Sequence, residues 1–121
     1  MPIRERLLII QEEALIALDI QRVLKGAFGH EALIVRNFEQ AEPLADRFAE
    51  FDLAVVTSPR RPGDHALAHR LKQAGAAIVV CSAARIDLSK TPLAGSPTVD
   101  KPFTDDDLLA ACRAALVARD R

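Results

Sequence analysis

The sequence contains no tryptophan and no tyrosine, and its only aromatic residues are five phenylalanines. It therefore offers little to stack on unpaired bases and no aromatic belt for a membrane interface. Neither sign of charge dominates, because 16 Lys and Arg side chains stand against 17 Asp and Glu side chains. A chain without a basic excess lacks the charge that neutralises nucleic-acid phosphates. The composition argues against a nucleic acid as partner.

Long apolar runs are also missing, and none approaches the roughly 20 residues that span a bilayer. No signal peptide precedes the first strand-like run, so we expect a cytoplasmic protein without a membrane partner. The two cysteines, Cys81 and Cys112, lie inside apolar runs. Cysteine in such a setting usually acts as a small hydrophobic residue rather than in a disulfide or metal site.

Short apolar runs alternate with segments of helical periodicity. Unbroken apolar runs are typical of strands buried on both faces of a parallel sheet. They occupy residues 7–10, 32–35, 53–56 and 77–80, with a weaker run at 98–99. The pattern predicts one α/β domain over residues 1–121, a three-layer sandwich around a doubly wound, flavodoxin-like sheet of five parallel strands in the order 2-1-3-4-5.

The helical segments carry start and stop signals. The first spans residues 13–28 and ends at Gly29, the third spans 64–74 and ends at Gly75, and the last begins at Thr104. Asn37 caps the second segment, in which Pro43 predicts a kinked or late-starting helix. Residues 83–97 show little helical periodicity, so the fourth helix is expected to be short or absent.

Polar residues follow the predicted strands, where ligands collect in such sheets. The blocks LLIIQEEALIALDI, FDLAVVT, AAIVVCSA and VDKPF carry a family resemblance. On these blocks the whole chain resembles the receiver domains of bacterial two-component response regulators. A working receiver has an acidic pair after strand 1 for Mg²⁺ and a phosphate-accepting Asp after strand 3. It also has a Ser or Thr after strand 4 and a Lys after strand 5.

The match to this pattern is incomplete. Glu12, Ser82 and Lys101 agree with it, but Gln11 stands at the first acidic position and Thr57 stands at the phosphoacceptor position. A hydroxyl cannot form the acyl phosphate, and a metal site without that carboxylate loses a ligand and a charge. The resemblance thus implies a pseudo-receiver that is not an enzyme, with a vestigial pocket and no metal or other cofactor.

Such a module would act in signal transduction by binding a sensor kinase, a phosphotransfer protein or another regulator. Two other functions stay open. The chain could be an active receiver that takes phosphate on Thr57, Ser58 or a histidine, or it could sense a small molecule in the vacated pocket.

We make further predictions for several side chains near the strand ends. We expect an ion pair between Glu12 and Lys101, and by resemblance a cis Lys101–Pro102 bond. Arg60 and Arg61 either place a guanidinium where the metal would lie or form a solvated basic loop. His65 and His69 have a metal-binding spacing, but no third ligand is in view.

Two helical surfaces are candidate contact sites. Helical phasing places Leu15 and Leu18 on the outward half of the first long helix. Receivers dock their partners on this helix, so by resemblance both leucines are candidate partner-binding residues. Ala110, Ala114 and Val117 form an outward strip on the last helix, where a homodimer contact is possible because small residues permit close approach.

Overall fold

The protein is described here by a computed structural model that covers residues 6–82 and 88–119. The strands are β1 (Arg6–Ile10), β2 (Ala32–Val35), β3 (Phe51–Val56), β4 (Ala77–Ser82) and β5 (Thr98–Asp100). They form one parallel sheet in the order β2-β1-β3-β4-β5. The predicted flavodoxin-like topology is confirmed.

Four α-helices and one 3₁₀ helix lie between and after the strands. They are α1 (Ala14–Phe28), α2 (Phe38–Ala41), the 3₁₀ helix (Glu42–Glu50), α3 (Pro62–Gln73) and α4 (Asp105–Arg119). Within residues 6–82 and 88–119, no helix has the length and apolar character needed to cross a membrane.

The central strands are buried on both faces. In β1, Leu7 and Ile9 pack into the cluster that contains the buried residues of α1 and α4, whereas Leu8 and Ile10 pack into a second cluster. That second cluster draws on α2, the 3₁₀ helix and α3. Successive side chains of a strand point to opposite faces, which explains why the run has no polar interruption.

The ends of the two long helices follow the sequence signals. Gly29 adopts a left-handed conformation with φ of 77° and donates its N–H to the carbonyl of Lys25, which ends α1. At the start of α4, Thr104 and Asp107 exchange hydrogen bonds. The Asp107 N–H donates to Thr104 Oγ1 at 3.0 Å, and the Thr104 N–H donates to Asp107 Oδ2 at 3.3 Å.

The second helical segment differs from the prediction. The Asn37 side chain accepts a hydrogen bond from the Gln40 N–H at 2.8 Å, so α2 begins at once rather than late. The α-helix then tightens into the 3₁₀ helix from Glu42 onward. Pro43 has no N–H to donate to the carbonyl of Glu39, which explains why the α-helical ladder stops there.

The described part of the connection between β4 and β5, residues 88–97, covers the sheet with turns rather than a helix. Residues 83–87 lie outside the described part, and residues 88–97 form turns and irregular chain. Leu88 and Leu93 from this connection are buried in the cluster with Ile78 and Val80 of β4. Thr91 holds the turn, because its Oγ1 donates to the Leu88 carbonyl and accepts from the Leu93 N–H. The expected loss of the fourth helix is confirmed for the described residues.

Replacing Leu93 by alanine should destabilise the protein by about 2–5 kcal/mol, because the side chain is fully buried and its removal leaves a cavity. Chemical denaturation followed by circular dichroism measures the change. Leu18→Ala is the matched control, since Leu18 is exposed and its removal should change the unfolding free energy by less than about 0.5 kcal/mol. A small effect of Leu93→Ala would show that the turn is not part of the core.

Candidate functional site

The sheet brings polar residues from four strand ends into one cavity of about 70 Å³. It is lined by Gln11, Glu12, Glu13, Thr57, Ser58, Arg60, Ser82 and Lys101. All five residues of the predicted vestigial pocket are among them. The parallel arrangement accounts for the convergence, because the carboxyl ends of all five strands meet at the same edge of the sheet.

Lys101 is the central charge of this cavity. Its Nζ lies 3.0 Å from Glu13 Oε1 and 3.1 Å from Gln11 Oε1. The Lys101 side chain is only 13% exposed, whereas the Glu13 side chain is 61% exposed, so water screens the pair from the carboxylate side. The ammonium group is thus neutralised from within the chain.

The predicted ion pair between Glu12 and Lys101 is wrong, since the partner of Lys101 is the next residue, Glu13. The reason lies in the turn that follows β1. Gln11 points into the buried edge, Glu12 is exposed, and the chain then turns so that the Glu13 N–H donates to Gln11 Oε1 at 3.3 Å. Glu13 is the N-cap residue of α1, and the turn aims its side chain back at Lys101.

Gln11 is 3% exposed, and its amide orientation is set by two donors. Both Lys101 Nζ and the Glu13 N–H donate to Oε1, so the NH₂ group must occupy the other side of the amide. That nitrogen, Nε2, is buried without a hydrogen-bond partner among the described residues. The end of β1 therefore contributes a neutral amide with a buried donor to the cavity.

Thr57 lies directly beside Gln11 at the end of β3. Its N–H donates to the carbonyl of Ile10 at 2.8 Å, which continues the pairing of β3 with β1 by one residue. The side chain is half-buried and lines the cavity, and the following Ser58 is buried. Two hydroxyl residues thus occupy the strand end where the phosphate-accepting carboxylate would lie.

These residues do not fit a Mg²⁺ ion. Magnesium prefers carboxylate and carbonyl oxygens in octahedral geometry. Here Gln11 Oε1 and Glu13 Oε1 both bind the Lys101 ammonium, and Thr57 supplies a neutral hydroxyl. Glu12 remains as an exposed carboxylate at the rim. One carboxylate beside a fixed ammonium is a poor site for a divalent cation.

The two arginines of the β3–α3 loop are separated by the structure. Arg60 lines the cavity, whereas Arg61 lines a different groove between α2 and α3. The loop itself is fixed by Asp64, whose Oδ2 accepts the N–H groups of Arg60 and Arg61 at 3.1 and 3.2 Å. Both side chains are exposed, which agrees with the solvated loop.

The cysteines and histidines form no site in the described chain. Cys81 and Cys112 are free and buried, and burial raises the pKa of Cys81 to about 11 and that of Cys112 to about 12. Protonated thiols are poor nucleophiles and poor metal ligands. His65 and His69 belong to no group of three or more metal-ligating side chains within residues 6–82 and 88–119.

Leu15 and Leu18 point outward as the helical phase predicts, with exposures of 83% and 55%. A groove of about 430 Å³ adjoins Leu15 and is bordered on its other side by Pro102 and Phe103. The Lys101–Pro102 bond is cis, as expected. Sequence reasoning missed this groove, because it forms between α1 and residues 102–103, which are far apart in the sequence.

The outward strip of α4 is also present, and Ala110, Ala114 and Val117 are all exposed. Behind the strip, Leu108, Cys112 and Ala115 are buried in the core as expected. Ala111 is only half-buried and packs at the edge of the same cluster.

Receiver domains of response regulators are among the solved structures that share this fold. A response regulator receiver protein from Sinorhizobium medicae is 25% identical, with a TM-score of 0.78 over 95% of this chain and 96% of its own. A two-component response regulator from Clostridium difficile is 20% identical, with a TM-score of 0.73 over 98% and 100% of the two chains.

A CheY-like receiver domain protein from Methanospirillum hungatei is 17% identical, with a TM-score of 0.74 over 96% of each chain. The sequence matches no protein-family profile and no curated protein. The fold of the chain is therefore that of the response-regulator receiver domains.

Mg²⁺ should not bind the protein at millimolar concentration, because the oxygens of Gln11 and Glu13 are engaged by Lys101 and Thr57 carries no charge. Thr57→Asp should restore binding only weakly, since it leaves Lys101 and Gln11 in place. Titration calorimetry and an NMR shift series measure both proteins. Tight binding by the unmodified protein would contradict this reading of the site.

Proposed function

We propose that the protein is a non-phosphorylatable pseudo-receiver that acts in bacterial signal transduction by binding other proteins. The likeness to receiver domains supports a role in two-component signalling. The observation that carries the rest of the proposal is Thr57 at the end of β3, in a cavity whose lysine is already paired with Glu13.

The chemistry of this cavity supports the loss of phosphotransfer. Acyl phosphate formation needs a carboxylate nucleophile together with cations that neutralise the charge developing on the phosphoryl oxygens. The end of β3 supplies only the hydroxyls of Thr57 and Ser58. Lys101 remains, but its ammonium group already forms an ion pair with Glu13. Both parts of the reaction, nucleophile and charge neutralisation, are therefore impaired together.

The surface of α1 supports action through protein contacts. Leu15 is almost fully exposed, and the adjoining groove with Phe103 offers an apolar site for a partner side chain. Interface energy usually concentrates in a few apolar anchors that become buried in the complex. A sensor kinase, a phosphotransfer protein or another regulator is the class of partner that a receiver-like surface would bind. The same proposal makes the protein a binding module rather than an enzyme, working in the cytoplasm.

Incubation with acetyl phosphate and Mg²⁺ should leave the intact mass unchanged, because the end of β3 carries the hydroxyls of Thr57 and Ser58 and no carboxylate. Thr57→Asp, measured in parallel, shows whether a carboxylate at this position is enough to accept phosphate. A phosphoryl adduct on the unmodified protein, mapped to Thr57, Ser58 or a histidine, would favour an active receiver with a non-standard acceptor and would overturn the proposal.

Replacing Leu15 and Leu18 together by Asp should weaken partner binding at least about tenfold, or about 1.4 kcal/mol. Folding should be nearly unaffected, since each side chain is exposed and such changes cost less than about 0.5 kcal/mol. Capture from the native lysate, with mass-spectrometric identification of the bound regulator or kinase, measures the effect.

Val117→Asp is the matched control, because it places the same charge on an exposed apolar position of α4. The control should retain the partner. Equal capture by the folded double variant and the parent would remove α1 as the docking face, and loss of capture by Val117→Asp alone would move that face to α4.

A further inference from the structure

Among residues 6–82 and 88–119, strand β2 lies at an edge of the sheet and has β1 as its only neighbouring strand. The carbonyl of Val35 accepts the N–H of Gln11, so residue 35 turns its backbone groups toward β1. Backbone groups of successive residues in a strand point to alternate sides. Those of Ala32, Ile34 and Arg36 therefore point away from the sheet.

An open edge of this kind invites pairing with another strand. The β2 sequence is Ala-Leu-Ile-Val, without a charge or a proline, and Leu33 is 42% exposed. The opposite edge is different. There β5 has only three residues, carries Asp100, and is flanked by Pro97 and Pro102. Charge, proline and short length protect β5, whereas β2 has four residues and contains neither a charge nor a proline.

Two glutamine side chains instead form hydrogen bonds with outward-pointing backbone groups at the ends of β2. Gln21 of α1 donates from Nε2 to the carbonyl of Ala32 at 2.9 Å. Gln40 of α2 accepts at Oε1 from the N–H of Arg36 at 3.1 Å. The two contacts lie on either side of Ile34 and occupy the Ala32 C=O and the Arg36 N–H. Two of the six outward N–H and C=O groups of Ala32, Ile34 and Arg36 are therefore unavailable to an added strand, which weakens its pairing at both ends of β2.

We propose that Gln21 and Gln40 close the β2 edge to strand addition and so prevent a second copy of this chain from pairing there. The two side chains reach the edge from different helices and from opposite ends of the strand. Each satisfies a backbone group that a neighbouring strand would otherwise use. Partners are thereby restricted to the helical faces of the molecule.

The test is the self-association of the Gln21→Ala/Gln40→Ala double variant, measured by sedimentation velocity over a range of protein concentrations. Opening two backbone groups per copy should raise the association constant on the order of tenfold or more relative to the parent. Gln40→Glu is the matched control, since its carboxylate still accepts from the Arg36 N–H. This control should sediment like the parent.

Amide hydrogen exchange verifies the contact itself. The Arg36 N–H should exchange faster in Gln40→Ala than in the parent or in Gln40→Glu. Adding Leu33→Lys to the double variant should return its sedimentation to that of the parent, because a charge on the edge strand blocks pairing.

A folded double variant that sediments like the parent would overturn the proposal, as would association that survives Leu33→Lys. Should the double variant fail to fold, the two single alanine variants are measured in its place. No increase in association for either one would overturn the proposal as well.

Discussion

The structure depends on one constraint, which is that the three central strands must be covered on both faces. Leu7, Leu8, Ile9 and Ile10 of β1 are all fully buried, and β3 and β4 are nearly so. One face is covered by α1 and α4, and the other by α2, the 3₁₀ helix and α3. Leu88 and Leu93, which belong to the turn region of residues 88–97 rather than to a helix, cover the remaining part of the second face. The same parallel arrangement gathers the strand ends into one cavity.

Much of this fold could be predicted, because strand burial and helix termination are local in sequence. The apolar runs located every strand to within a few residues, and Gly29 ended α1 where expected. The partner of Lys101 could not be read in the same way. Glu12 and Glu13 have identical side chains. Only the turn that brings the Glu13 N–H to Gln11 decides which of them reaches Lys101. The switch from α2 to the 3₁₀ helix depended on one missing donor at Pro43 rather than on periodicity.

Contacts between residues far apart in the sequence shape the remaining surface features. The pattern of apolar and polar residues does not predict such contacts. The groove beside Leu15 lies between α1 and Pro102 and Phe103, next to the contact of Lys101 with Glu13, which are 88 positions apart in sequence. Gln21 lies on the helix face next to β2, and nothing in its neighbours indicates that its amide reaches Ala32. A few polar contacts therefore connect the residues that line the strand-end cavity. Lys101 neutralises the acidic side, and Gln11 accepts from both Lys101 and the start of α1.

The turn that carries Leu88 and Leu93 has a mechanical consequence. A helix packed on a sheet can shift as a rigid rod and carry a displacement from one end of the sheet to the other. In residues 88–97 the chain is instead held by two separate buried leucines and by hydrogen bonds between Thr91 and residues two or three positions away. A movement of this stretch would be taken up by rotations of individual backbone bonds within residues 88–97. Among the described residues next to β5, a rigid helix can therefore carry a displacement on one face of the sheet only, where α4 packs Leu108, Cys112 and Ala115 into the cluster that contains Val99.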